Sequence, residues 1–295
     1  MKWAPAAAML ACVAALGGCA TAGPSSPSAP VAALPSTPAP GFQYLYGSGE
    51  AGALSIQAFR ALLDHVSVQA KARPKDSVVL ADGATLESPA FVPCGDKPFA
   101  VVFDVDETLV LNLGFEEWDA RRGGGPFDSA MWDRWEKTGA GAVSPVPGAV
   151  FAVNALRAQG VAVVFNTNRA AVNAAGTVAA IRAAGLGDAV HGETLFLSGD
   201  DAMGSRKDGR RRTISARYCV LALGGDQLGD FSDLFNAIKS VPDRRMAAIR
   251  GRIAQLWGAG WFALPNPVYG SGLKGGFEDI FPADKRWAEP AEKEK

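Results

Sequence analysis

The 295-residue chain is 48% hydrophobic and 20% charged, with 29 Lys and Arg against 30 Asp and Glu. That near-neutral balance excludes the polycation needed to hold a nucleic-acid polymer by its phosphates, while the apolar share suffices for one large core with a cap. The two histidines, His65 and His191, fall in no motif, which argues against a phosphohistidine mechanism or a histidine-built metal site.

Lys2, the apolar run 4–16 and Leu16-Gly17-Gly18-Cys19 have the form of an export leader, residues 1–18, ending at a cysteine that accepts lipid, Cys19. The alternative is an ordinary leader with a chance cysteine. The run is too short to span a bilayer. Residues 19–41 are almost entirely Ala, Pro, Ser, Thr and Gly, too poor in apolar surface to order themselves, so they read as a disordered tether. Acyl chains on Cys19 would anchor the folded part in the cell envelope, and Ala20 rather than an Asp after the cysteine points to the outer membrane. With Cys12 in the leader and Cys19 in the anchor, Cys94 and Cys219 remain as thiols in an oxidising compartment. Each precedes a strand that leads toward an acidic loop. They can pair if those strands are neighbours; two buried, inert thiols are the alternative.

Leu54, Ile56, Phe59, Leu62, Leu63 and Val66 predict an amphipathic helix over 53–71. After a loop at 89–98, the run Phe99 to Phe103 is apolar throughout, as a strand buried on both faces should be, and it delivers Asp104 and Asp106 at its carboxyl end. Residues 112–147, with three tryptophans and a Gly123 to Gly125 run, read as an irregular insertion over the site. A helix over 148–159 closed by Gly160, a strand 161–165 ending in Asn166-Thr167-Asn168-Arg169, and an alanine-rich helix 170–184 follow. Further strands are predicted at 194–197, at 218–223 leading into Gly224 to Phe231, and at 261–264 before Pro265-Asn266. The alternation implies an α/β fold, a parallel Rossmann-like sheet with helices on both faces, plus a smaller helical or irregular cap. The folded domain is expected over 42–287, with the cap from 42–95 and 112–147, the core from 99–111 and 148–282, and a charged tail at 288–295.

Polar residues gather at strand ends in four places: Asp104 with Asp106, Thr167, Lys207, and Asp226 with Asp230. The order Asp-x-Asp-x-Thr, a strand ending in Thr-Asn-Arg, a Lys, then Gly-Asp-x-x-x-Asp-Phe resembles the haloacid dehalogenase-like superfamily. More closely, the chain is similar to the class C non-specific acid phosphatases, bacterial surface lipoproteins that include 5′-nucleotidases. Pro126-Phe127-Asp128, Trp132-Asp133-Arg134-Trp135, Val146-Pro147-Gly148-Ala149 and Leu264 to Gly270 add to the likeness, which covers about 42–287. Gln227, Gly229, Asn166 and the loop Gly139 to Ser144 depart from the family pattern and weaken any statement of substrate preference.

The chemistry these residues allow is phosphoryl transfer. Asp104 would attack phosphorus to give an aspartyl phosphate, splitting one displacement into two. Asp106 would protonate the leaving oxygen and then take a proton from the attacking water. Magnesium takes oxygen ligands and only one or two carboxylates, which suits Asp104 and Asp226, and the resemblance adds the Asp106 backbone carbonyl. Thr167 and the backbone around Asn168 would hold phosphoryl oxygens, with Arg169 in support, and Lys207 would neutralise their charge. Asp230 would hold Lys207 or a metal-bound water.

The run Arg206 to Arg212 ordinarily reads as a solvated face. Its register leaves Arg206 or Arg210 as alternatives to Lys207. The resemblance offers Phe115, Trp132, Trp135 and Tyr269 as a substrate clamp for a base; packing between cap and core is the other reading. The expected activity is thus a magnesium-dependent phosphomonoesterase with a small phosphomonoester substrate, nucleoside monophosphates among them. Its only macromolecular contact is a membrane through the lipid anchor, with a homodimer left open. A phosphotransferase of the same superfamily and a catalytically decayed binding lipoprotein are the rivals. Dehalogenases typically lack the carboxylate that Asp106 supplies.

Overall fold

The structure, a computed structural model, describes residues 36–289. The leader, Cys19 and most of the tether, like residues 290–295 of the tail, lie outside the described residues.

Ser48 opens the helix Gly49–Ala72 by accepting the Ala51 amide at 3.1 Å, which satisfies a donor that a first turn leaves free. Phe59, Leu62, Leu63 and Val66 form its buried face at the 3.6-residue period. That face packs on the central sheet and on the helix Ala149–Ala158. His65 joins this packing, with Nε2 3.1 Å from the Leu221 carbonyl oxygen. Segment 42–95 is therefore no cap element over most of its length. The helix covers one face of the sheet, and the antiparallel pair β1 (Asp76–Leu80) and β2 (Phe91–Pro93) packs beside it on a core strand. Amphipathic spacing says that a helix has an apolar side, and says nothing of which surface receives it.

β3 (Phe99–Phe103) is the middle strand of the core. After a tight turn come β4 (Val110–Leu111) and its antiparallel partner β5 (Ser144–Pro145). β6 (Ala162–Ala170), β7 (Leu195–Ser198), β8 (Cys219–Gly225) and β9 (Trp261–Ala263) complete a parallel five-stranded sheet in the order β7-β6-β3-β8-β9. Successive residues of β3 point to opposite faces. Ala100 and Val102 enter one apolar cluster with Val220, Leu223, Phe231 and Trp261, and Val101 and Phe103 enter the other with Phe59, Val163, Phe165 and Leu221. Burial on both faces is why the strand reads as continuously apolar.

Two boundaries differ from expectation. β6 runs on to Ala170, so Asn166 to Arg169 belong to the strand itself, held by pairing with β7 as far as Ser198. The insertion 112–147 is more regular than its Gly, Pro and Trp content suggests. It folds as the helices Leu113–Arg121 and Ser129–Thr138, the second capped by Asp128, whose carboxylate accepts the Ala130 and Met131 amides at 3.0 Å.

Cys94 and Cys219 form a disulfide across a Cα separation of 4.6 Å, joining the loop before β3 to the start of β8. Phe99 is registered with Cys219, so the two sulfurs meet at the amino end of neighbouring strands. The bond closes 125 residues of chain. Reduction, or Cys94→Ser with Cys219→Ser, is expected to cost about 2–5 kcal/mol through the freed unfolded chain. Calorimetry with and without reductant should show the melting temperature fall by roughly 5–15 °C.

Candidate active site

β3 and β8 lie side by side, and the Asp104 amide donates to the Gly224 carbonyl at 2.9 Å where both strands end. The chain then turns sharply, with the Leu109 and Val110 amides both donating to the Val105 carbonyl at 2.9 Å. Glu107 takes the strained position in this turn, at φ 53°. A left-handed non-glycine costs about 1–2 kcal/mol, and the contacts of the Glu107 carboxylate offset it. The buried carboxylate accepts the Asn112 amide at 2.9 Å, the Asn112 side-chain nitrogen at 3.1 Å, the Tyr46 hydroxyl at 3.3 Å and the Tyr269 hydroxyl. Burial, then the nearby Asp106, pushes Glu107 up to about 7.

The turn presents Asp104 to Lys207, whose Nζ donates to Asp104 Oδ1 at 2.5 Å and to Asp230 Oδ1 at 2.7 Å. Burial raises the Asp104 carboxyl well above the usual range, against the opposing pull of Lys207. Burial also works against the Lys207 charge, but Asp104 and Asp230 more than offset it and its pKa is raised. From the end of β8, Asp226 accepts Thr108 Oγ1 at 2.9 Å, Gln227 Nε2 at 2.9 Å and Asn266 Nδ2 at 2.8 Å. It is pushed up to about 6, by burial first and by Asp230 next. Asp104, Asp226 and Asp230 each bring a carboxylate oxygen within 4.8 Å of the others.

Asp106 adds no carboxylate to that group, and the resemblance implies only its backbone carbonyl as a metal ligand. Its Oδ1 accepts Arg169 Nε at 2.8 Å and Asn112 Nδ2 at 3.0 Å, with Arg169 Nη2 at 2.7 Å, while Thr167 Oγ1 donates to Oδ2 at 3.3 Å. The fixed guanidinium fork sets the carboxylate's orientation. Thr167 is fully buried and does not line the cavity; its hydroxyl serves Asp106 and the Arg169 amide, which makes it a positioning group. Asn168 does line the cavity, and its Oδ1 accepts Arg210 at 2.6 Å.

The basic run is only half solvated. Lys207, Arg210 and Arg211 are buried, and their i, i+3, i+4 spacing puts them on one face of the helix Asp208–Arg217 and the residue before it. Lys207 alone of these faces the cavity. Arg210 donates to the Thr167 carbonyl, and Arg211 ties down the Gly229 and Asp230 carbonyls at 3.1 and 2.7 Å. Asp233 caps that helix, accepting the Lys207 and Asp208 amides at 2.9 and 2.7 Å. The spacing was visible in the sequence; the direction of the face was not.

Asp104, Lys207, Asp226 and Asp230 open into one cavity of about 920 Å³, roofed by Phe115, Trp132 and Tyr269. Phe115 meets Trp132 edge to face at 4.8 Å. Trp135, expected with them, does not line the cavity: it packs over Gly114 and Gly139, where no side chain would fit, and its Nε1 donates to Asn112 Oδ1 at 2.9 Å. Phe42 and Phe127 join the walls without having been anticipated.

Sequence reasoning also passed over Asn112, which sits in no charged or catalytic pattern. Fully buried, it donates to Asp106 and Glu107 and accepts from Trp135 and from Arg169 Nη2 at 2.7 Å, so it joins the turn after β3 to the cap. Asn112→Ala takes a hydrogen bond from four side chains, Asp106, Glu107, Trp135 and Arg169, of which Glu107 and Arg169 are buried. It should lower stability by about 2–4 kcal/mol in thermal unfolding. It should also slow turnover by roughly 10–100-fold through misplacement of Asp106.

A family model described as HAD superfamily, subfamily IIIB (Acid phosphatase), matches residues 54–272. Among solved structures, the class C acid phosphatase from Bacillus anthracis with tungstate bound is similar at 22% identity and a TM-score of 0.63, over 81% of this chain and 92% of that one. A second structure of the class C acid phosphatase from Bacillus anthracis aligns at 21% identity and a TM-score of 0.64, over 85% and 96%.

Proposed function

The chain belongs to the acid phosphatases of HAD superfamily subfamily IIIB and is a phosphoric monoester hydrolase; from that premise we propose that it works through an aspartyl phosphate on Asp104 with magnesium as its cation. The observation that carries this reading is three carboxylates gathered within 4.8 Å of one another, of which Asp104 and Asp230 share a single lysine and Asp226 meets no cation among the described residues. One ammonium cannot balance them, and burial first, then the neighbouring acids, raises both Asp104 and Asp226. An all-oxygen donor set with uncompensated charge fits a hard divalent ion.

Asp104, Asp226 and Asp230 would hold that ion. When bound, it neutralises the charge that would otherwise keep a phosphate dianion away from Asp104. Lys207 favours the ionised form of Asp104 against the effect of burial and lies where charge gathers on the phosphoryl oxygens. Asp104 Oδ attacks phosphorus as the bond to the leaving oxygen breaks, and Asp106 gives that oxygen its proton. Water then attacks the same phosphorus, loses its proton to Asp106, and restores the Asp104 carboxylate with release of inorganic phosphate. Arg169, Thr167 and Asn112 keep the Asp106 carboxylate aimed through both transfers.

Substrate leaving groups would lie against Phe115, Trp132 and Tyr269, which suits the flat base of a nucleoside monophosphate. The leader and Cys19 make this an enzyme of the cell envelope, acylated and facing outward from the inner membrane, so that dephosphorylated products become available for uptake. The test is phosphate release from p-nitrophenyl phosphate and from nucleoside monophosphates, stopped by EDTA and restored by magnesium, together with borohydride reduction during turnover. Homoserine at position 104 is the expected product of reduction. Turnover that persists in EDTA, or label on any other residue, would overturn the reading.

A further inference from the structure

At the cap end of the cavity every acid has a partner except one. Asp119 pairs with Arg122 at 2.8 Å, Asp133 with Lys137 at 2.6 Å, and Glu136 accepts Trp132 Nε1 and Asn173 Nδ2 at 2.7 Å each. Glu116 is 5% exposed and lines the same cavity as Asp104, yet among the described residues its carboxyl accepts no hydrogen bond and meets no cation. Its oxygens are not among the sealed, unpartnered polar atoms of the described residues and open instead to the cavity, where a donor can reach them. A group that arrives with the ligand can therefore pair with it.

Three features define that group. Glu116 sits beside Phe115 and shares its cavity wall with Phe42 and Trp132, whose faces attract cations. Its charged neighbours Glu107, Asp119 and Asp106 are all acids, and burial first, then these acids, pushes Glu116 up to about 9. The carboxyl oxygens need N–H or O–H donors, and an ammonium group supplies three together with positive charge. Arg122, which lines the same cavity, is already committed to Asp119 and lies over the Trp118 ring. We propose that Glu116 is a specificity residue that binds an ammonium group on the leaving alcohol, so that the favoured substrates are phosphate monoesters of amino alcohols. This rests on the phosphomonoesterase reading and adds to it the class of substrate.

The test compares aminoethyl, aminobutyl and aminohexyl phosphate with propyl, pentyl and heptyl phosphate, in which a methyl replaces the ammonium. Wild-type full-length protein, Glu116→Gln and Glu116→Met are assayed with magnesium, with p-nitrophenyl phosphate as the reporter of a folded, working site. At one chain length or more, kcat/KM for the amino ester should exceed its alkyl partner by about tenfold or more. Both substitutions should bring that ratio to within about twofold of one, through KM for the amino ester. A ratio near one at every length in the wild type, or a preference that survives in either variant, overturns the proposal. Failure to hydrolyse p-nitrophenyl phosphate would instead overturn the phosphatase reading. Calorimetric titration of Asp104→Asn with the same ester pairs, with and without Glu116→Gln, would then decide the ammonium site by itself.

Discussion

Asp104→Asn should release phosphate from p-nitrophenyl phosphate at least about 10⁴-fold more slowly than the wild type, the loss expected when a covalent nucleophile is removed. The amide is close to isosteric with the carboxylate but has no anionic oxygen to form the acyl phosphate. Loss of fold does not explain the result in advance. Asp104 is one of three carboxylates within 4.8 Å of one another, and burial and neighbouring acids hold its carboxyl well above the usual range. Removing its charge relieves repulsion, while Asp230 still holds Lys207 at 2.7 Å. The melting temperature of the metal-free variant should therefore equal or exceed that of the wild type. Slow turnover with an unchanged or higher melting point assigns the defect to chemistry. Residual activity within about tenfold of wild type would move the nucleophile elsewhere.

The parts of this site that could be read in the chain are those where an apolar run hands directly to an acid. Phe99 to Asp104 and Cys219 to Asp226 are strands buried on both faces, and an acid at the end of such a strand has few places to go. Residues whose roles depend on which way a polar surface faces were not legible. Arg210 and Arg211 look like solvent-facing charges until Asp233 fixes the start of their helix and turns the i, i+3, i+4 face inward. Thr167 reads as a phosphate ligand if the strand ends at Phe165; β6 continues to Ala170, and the Thr167 hydroxyl donates to Asp106. Glu107 and Asn112 act through buried hydrogen bonds between segments far apart in sequence, including Tyr46 and Tyr269, and no local pattern encodes such a meeting. The same applies to Trp135, whose neighbours Gly114 and Gly139 leave it a packing slot behind the cavity.

Saturating magnesium should raise the wild-type melting temperature by roughly 5–10 °C, because an ion at about a hundred times its dissociation constant contributes about 2.7 kcal/mol to the folded state. Asp226→Asn should lose most of that gain. The pH dependence identifies the group responsible. In the metal-free fold Asp226 titrates near 6 against an ordinary 3.8, so the folded state binds its proton more tightly than the unfolded chain does. Its contribution to metal-free stability is complete below about pH 4 and is lost as pH rises through about 6. Magnesium requires the ionised carboxylate, so its stabilising increment should run the other way, small near pH 4 and full above about pH 7. Scans of melting temperature against pH, with magnesium and with EDTA, should therefore converge in acid and separate through the range where Asp226 titrates. An increment that is the same across that range, or that persists in Asp226→Asn, would place the ion on groups other than the β8 carboxylate and leave the excess charge around Lys207 without its counterion.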